Sequence, residues 1–213
     1  MNYISNILYW ISTGLLVPVI VLLILLFCRS LLLIGSFLGE YFTSRQNTLS
    51  LKKKLQNIDK YNVTTLYRSL SGRESSLAVT YLKRLIEAKD CAALRNRLLA
   101  EFEIEADRNL STSKILNKMG PILGLMGTLI PMGPALVGLS TGDIASMAYN
   151  MQVAFATTVT GLFSAAIGFI TLQVKRRWYM QDMANLEYVA ELLNENRTEI
   201  IHKKGSYETK TVK

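Results

Sequence analysis

Apolar residues dominate three stretches of this chain, 7–28, 119–139 and 151–174. Each is long enough for a membrane-spanning helix, which needs roughly 20 such residues at about 1.5 Å each. The first stretch ends in an unbroken apolar run from Val19 to Phe27, and 30–42 stay apolar after Arg29. The first helix is therefore expected to continue past the bilayer surface or to lie on it. Over 73–109 the pattern changes to one-sided. Leu77, Tyr81, Leu85, Leu94, Leu98, Phe102 and Ala106 recur at spacings that suit one helix face, with polar residues filling much of the other. Ser71 is a candidate N-cap, with Glu74 completing a capping box. Residues 175–201 read as helix, Trp178 and Tyr179 sit where an interfacial aromatic belt is expected, and 203–213 read as disordered. The expected fold class is an all-α membrane protein: three transmembrane helices, a helical cytoplasmic loop and a cytoplasmic helical tail.

Charge turns these stretches into a topology. The chain has 213 residues and a formal net charge of +8. A basic excess of that size ordinarily suggests nucleic acid. Its distribution says otherwise. Residues 1–28 carry no charge, 29–118 carry sixteen basic and nine acidic side chains, 119–174 carry only Asp143, and 175–213 carry eight basic and six acidic. Basic residues beside spanning helices stay cytoplasmic. Arg29, Lys114, Lys118, Lys175, Arg176 and Arg177 agree on one side. The expected order is 1–6 outside, helix 7–28, a cytoplasmic helical domain 29–118, helix 119–139, an outside turn 140–150, helix 151–174 and a cytoplasmic tail 175–213. The setting would be the cell (inner) membrane. A cleaved signal peptide fits poorly, because the first stretch lacks a basic start and is too long. Lys52-Lys53-Lys54 reads as a solvated face beside anionic membrane lipids, and nucleic acid drops out. Cys28 and Cys91 show no disulfide, metal or redox spacing.

The chemistry on offer inside the apolar stretches is hydroxyls and glycines. Ala154, Thr157, Gly161, Ser164, Gly168 and Thr171 are spaced alternately by three and four, a stripe of small residues on one helix face. Ala165 adjoins it. In 119–139, Gly120, Gly124 and Gly127 suit close helix approach, and Pro121 is expected near a helix start. Pro131 and Pro134 are expected to bend or break the outer half of that helix. Thr128, Thr158 and Thr160 supply hydroxyls, though a threonine in such a helix can satisfy itself on its own backbone. No acidic, basic or His residue lies within a span, so a carboxylate-based ion mechanism needs its carboxylate from another protein. Asp143 reads as the N-cap of the helix after it. Glu101, Glu103, Glu105 and Asp107 point in different directions on a helix and read as a solvated face, not a metal site; His202 reads as a surface residue. No nucleophile–base pair, HExxH or paired intramembrane acids are present, so no enzyme and no cofactor are expected.

Pro121-Ile122-Leu123-Gly124-Leu125-Met126-Gly127-Thr128-Leu129 resembles the P-x-x-G-L-[LM]-G-T-[VI] motif of the MotA/TolQ/ExbB proton-channel family, closest to its TolQ/ExbB branch. Thr158-Val159-Thr160-Gly161-Leu162 resembles the T-x-x-G-L motif of the family's last span. The resemblance is strongest over 114–178. It implies a pentameric homo-oligomer around a dimer of a single-span partner of the ExbD/TolR/MotB kind, which carries an intramembrane Asp. Ion flow, with protons the first candidate, would protonate and release that Asp and drive rotation. By motif position Thr128 and Thr158 match the family's two pore-facing threonines, with Thr160 beside them. Pro121, Gly124, Gly127, Gly161, Ser164, Ala165 and Gly168 would serve helix packing. The alternative is a non-conducting membrane scaffold of the same fold.

Overall fold

The computed structural model describes residues 2–56, 76–88 and 91–211, and among these the chain forms four helices. They are α1 (Asn2–Gln56), α2 (Leu77–Glu87), α3 (Ala92–Thr141) and α4 (Ile144–Thr211). No strand occurs among the described residues. Three helices carry stretches long and apolar enough to cross a membrane, Trp10–Tyr41, Ala92–Thr141 and Ile144–Glu195. The chain is a multi-pass, all-helical membrane protein. It divides into two compact units, Met1–Tyr41 with Leu110–Val174, and Phe42–Asn109 with Lys175–Lys213.

In the first unit α1 lies against the α3–α4 pair. Val19 and Leu23 are buried with Leu123, and Leu26, Met126 and Ile130 pack around them. Near the basic end the Phe27 and Phe163 rings tilt together at 5.9 Å. There Arg29 Nη2 donates to Thr112 Oγ1 at 3.2 Å. Buried Ser30 donates its hydroxyl to the Phe27 carbonyl at 2.7 Å. Many large apolar side chains on the outside of this unit are exposed, among them Leu22, Leu32 and Ile170. That is tolerable where the solvent is lipid.

α3 ends and α4 begins within two residues. Gly142 has φ 78°, a left-handed conformation that only glycine adopts readily. The Asp143 N–H donates to the Gly138 carbonyl at 2.8 Å and the Gly142 N–H to that of Leu139 at 3.3 Å, the paired bonds of a Schellman cap. Asp143 then caps α4, its Oδ1 accepting from the Ser146 N–H at 3.0 Å. The expected N-cap is therefore in place, while the reversal is tighter than 140–150, because α4 is helical from Ile144.

The second unit has an ordinary apolar core. Leu82 and Leu85 of α2, Leu98, Phe102 and Ala106 of α3, and Leu186, Val189, Ala190 and Leu193 of α4 are buried together, with Tyr179 and Met183 packed against them. Tyr81 meets Phe102 edge-on at 5.5 Å. Tyr179 thus packs on this core. The single helix face expected over 73–109 is interrupted. Ala88 ends α2, its N–H donating to the Arg84 carbonyl at 3.0 Å, and Cys91 donates to the Ala88 carbonyl at 3.1 Å. The break shifts the helical phase, so that Leu94 is 44% exposed while Arg95 is buried. Arg95 Nη1 donates to the Ala88 carbonyl at 3.3 Å and Nη2 to Asn194 Oδ1, tying the end of α2 to α4.

Three further expectations change. Neither Pro131 nor Pro134 breaks α3, which runs on to Thr141. Each still removes an N–H, leaving the Gly127 and Ile130 carbonyls without their usual partner four residues on. Pro121 lies in the interior of α3, exposed, because the helix starts at Ala92 and does not restart at the apolar stretch. α4 reaches Thr211, so helix covers most of the stretch read as disordered; extending an existing helix carries no nucleation cost. The capping box at Ser71 and Glu74 lies outside the described residues, as do the side chains of Lys52, Lys53, Lys54 and His202.

Candidate functional site: the α3–α4 seam and its open face

Small residues bring α3 and α4 into backbone contact along a seam. A Cβ at Gly161 would lie 2.6 Å from the Gly120 carbonyl oxygen, and one at Gly120 would lie 3.0 Å from Ala165 Cβ. At Gly127 it would strike Thr157 Cβ and Oγ1 at 2.6 Å. At Gly168 it would meet Leu116 Cβ at 2.6 Å and the Asn117 nitrogen at 2.7 Å. Gly124 is less confined, since its nearest neighbour, Gly161 Cα, would be 3.5 Å away. Thr157, Ser164 and Thr171 are buried in the same line, each two turns from the next. Those hydroxyls are about 10 Å apart along the axis, with glycine contacts closing the space between them. The seam is a sealed joint and offers no continuous polar path.

The three candidate threonines do not share a face. Residues two apart on a helix point about 200° apart. Thr160 is three residues before Phe163, about 60° from the side of α4 that meets α1, whereas Thr158 is five residues before it, about 140° away. Thr128 on α3 is likewise about 140° from Leu123, which packs on α1. Thr128 and Thr158 therefore flank the seam on the side opposite α1, and Thr160 belongs to the α1 side.

Their levels along the axis also agree. Gly127 packs on Thr157 and Gly124 on Thr158. With the helices antiparallel, the residue opposite Thr128 is about 156, so Thr158 is about 3 Å further along. The two hydroxyls form one layer on one open face, both half-buried. Each donates its proton to its own helix: Thr128 to the Leu125 carbonyl at 2.8 Å, Thr158 to that of Ala154 at 3.0 Å. Thr160 donates to Ala156 at 2.8 Å. What the Thr128–Thr158 layer presents outward is thus hydroxyl oxygens with free lone pairs, acceptors for a proton carried by water or by an acid.

Charge is scarce here. Asp143 is the one charged side chain between 119 and 174, and it sits at the turn as a helix cap. In the second unit two of the four acids expected as a solvated face pair locally, Glu101 with Arg97 at 2.9 Å and Glu105 with Arg108 at 3.8 Å. Among the described residues no group of acids, His and Cys could hold a metal ion. Thr157 was readable in the sequence as part of the small stripe; its place inside the seam, one residue from a threonine on the open face, was not.

Residues 69–187, more than half of the chain, match the family model of the MotA/TolQ/ExbB proton channel family. No curated protein gives a match.

Proposed function

Because this chain belongs to the MotA/TolQ/ExbB proton channel family, we propose that it is the channel-forming subunit of a membrane motor driven by an ion gradient, with protons as the ion. The observation that carries the reading is the pairing of Thr128 and Thr158 in one layer on the open face, in a chain whose apolar spans hold no acidic, basic or His residue. Hydroxyls can hand a proton along or receive one by hydrogen bond, but they cannot store it at neutral pH. The titrating group comes from a partner with a single spanning helix and an Asp at the depth of this layer. Copies of the chain, five in the family's arrangement, surround a dimer of that partner. The layer offers acceptors to the Asp when it is protonated, and the sealed seam keeps ions out of the subunit interior. Converting flow into rotation is the partner's movement past successive copies.

The orientation that fits puts Arg29, Lys114, Lys118, Lys175, Arg176 and Arg177 on the cytoplasmic side of the inner membrane, the Gly142–Asp143 turn and the N-terminus outside. Membrane lipids cover the rest of the apolar exterior. Thr158→Val is expected to abolish ion-driven activity, and Thr128→Val to reduce it, while the complex still assembles at wild-type size. Normal gradient-driven flux in both variants would sink the role assigned to them. A non-conducting scaffold of the same fold is the second reading, favoured by the fact that every one of these hydroxyl protons is spent on its own helix. Ion flux in vesicles holding chain and partner together separates the two readings.

A further inference from the structure

The open face has an order along the axis that the hydroxyl layer alone does not explain. Each threonine is bracketed by bulky apolar side chains one turn before and one turn after it, and all four are exposed. On α3 these are Leu125 and Met132, at 60% and 43%; on α4 they are Phe155 and Leu162, at 64% and 54%. Spacings of three and four keep them on the threonines' side of their helices. The seam contacts set their levels. With Gly127 opposite Thr157, Met132 falls opposite about residue 152 and Leu125 opposite about residue 159. Met132 and Phe155 therefore lie toward the turn, Thr128 and Thr158 in the middle, and Leu125 and Leu162 toward the basic end. The face reads apolar, hydroxyl, apolar.

We propose that these four side chains are leak seals: an outer collar of Met132 and Phe155 and an inner collar of Leu125 and Leu162, which keep water and bare ions from the hydroxyl layer. This rests on the reading of that layer as the ion path. Water confined between apolar walls withdraws, and a constriction of this kind stops ions without any plug. A charge cannot follow, because an unpaired ion in apolar surroundings costs several kcal/mol or more. A protonated carboxylic acid is neutral and sits beside such walls at far lower cost. The collars thus leave the partner's acid as the group that holds the ion in this layer, and they tie each ion crossing to a movement of the partner.

The test uses the complex purified from native membranes and reconstituted in vesicles under an imposed pH gradient, with proton entry followed by an enclosed pH-sensitive dye. Phe155→Ala opens the outer collar and Leu162→Thr wets the inner one. Both side chains are exposed in the subunit, so neither change leaves a cavity in its core. Each is expected to raise the passive proton leak at least about fivefold over wild type. Leu22→Ala, an exposed apolar truncation on α1, is expected to leave it unchanged. Wild-type leak in both collar variants, in complexes of wild-type size, would overturn the proposal, and so would an equal rise in Leu22→Ala. If one collar variant fails to assemble, the other decides. A Thr158→Val arm reads the underlying function separately: undiminished driven flux there removes the ion path, whatever the leak.

Discussion

The same two helices, α3 and α4, are held together in two different ways in the two units. In the second unit they join through volume: Phe102, Leu186 and Val189 are almost completely buried, and the exterior is charged. In the first they join through absence of volume, with Gly120, Gly127, Gly161 and Gly168 letting backbones touch while large apolar side chains face outward. The difference follows from the solvent. Water drives apolar side chains together at about 25 cal/mol per Å² buried. Lipid offers no such drive, so contact there depends on close packing and hydrogen bonds, which small residues permit. Leu98 is therefore a core residue near one end of α3, while Leu129 is surface near the other.

That contrast can be broken at either end. The largest effect is expected from Phe102→Ala, which removes a buried ring from the second unit and should cost about 3–5 kcal/mol. Its melting, followed in detergent by Trp178 fluorescence on a Trp10→Phe background, since Trp10 lies in the first unit, should fall well below wild type; an unchanged midpoint would mean the core there is not what holds the unit. Gly161→Val attacks the other joint, driving a side chain toward the Gly120 carbonyl, at a cost of about 1–3 kcal/mol. It should disrupt the first unit and ion flux while leaving the Trp178 melt close to wild type. Equal loss in both units would show that the two joints are not independent.

A smaller effect sharpens the comparison by pH. Asp182 lies on α4 beyond the apolar stretch 151–174, in the second unit, and burial raises its pKa from 3.8 to about 6. Above pH 6 the folded state bears the cost of a desolvated carboxylate. As pH falls from about 6 toward 3.8 the folded protein takes up the proton first, so stability rises through that window. Asp182→Asn should therefore stabilise the second unit at pH 7.5 by about 1–2 kcal/mol and flatten this dependence. The readout is the Trp178 melting midpoint at pH 5 and pH 7.5. A midpoint at pH 7.5 no higher than wild type would contradict it.

Much of this was legible in the residues. The apolar stretches, the Gly142–Asp143 reversal and the Asp143 cap follow from composition and turn chemistry that leave few choices. The helix ends were not legible. Charged residues such as Lys114 and Lys118 form helix as readily as the apolar residues after them, so α3 crosses that boundary without a signal. Leu94 was assigned to the buried face because periodicity carries phase forward, and nothing local announced the break that moved Arg95 there instead. The threonines show the same limit at finer grain. Motif position singles out Thr128 and Thr158, but only the register set by Gly127 against Thr157 places them at one level and sends Thr160 to the other side.

The two-residue turn bears on how this chain enters a bilayer. With Gly142 and Asp143 alone between them, α3 and α4 have no slack. The apolar stretch of one cannot settle across the bilayer while its neighbour waits in water, because the cap bonds fix the end of one helix to the start of the next. The pair is a hairpin with its joint built in. Its glycine seam is made entirely within one chain and needs no second copy to close it.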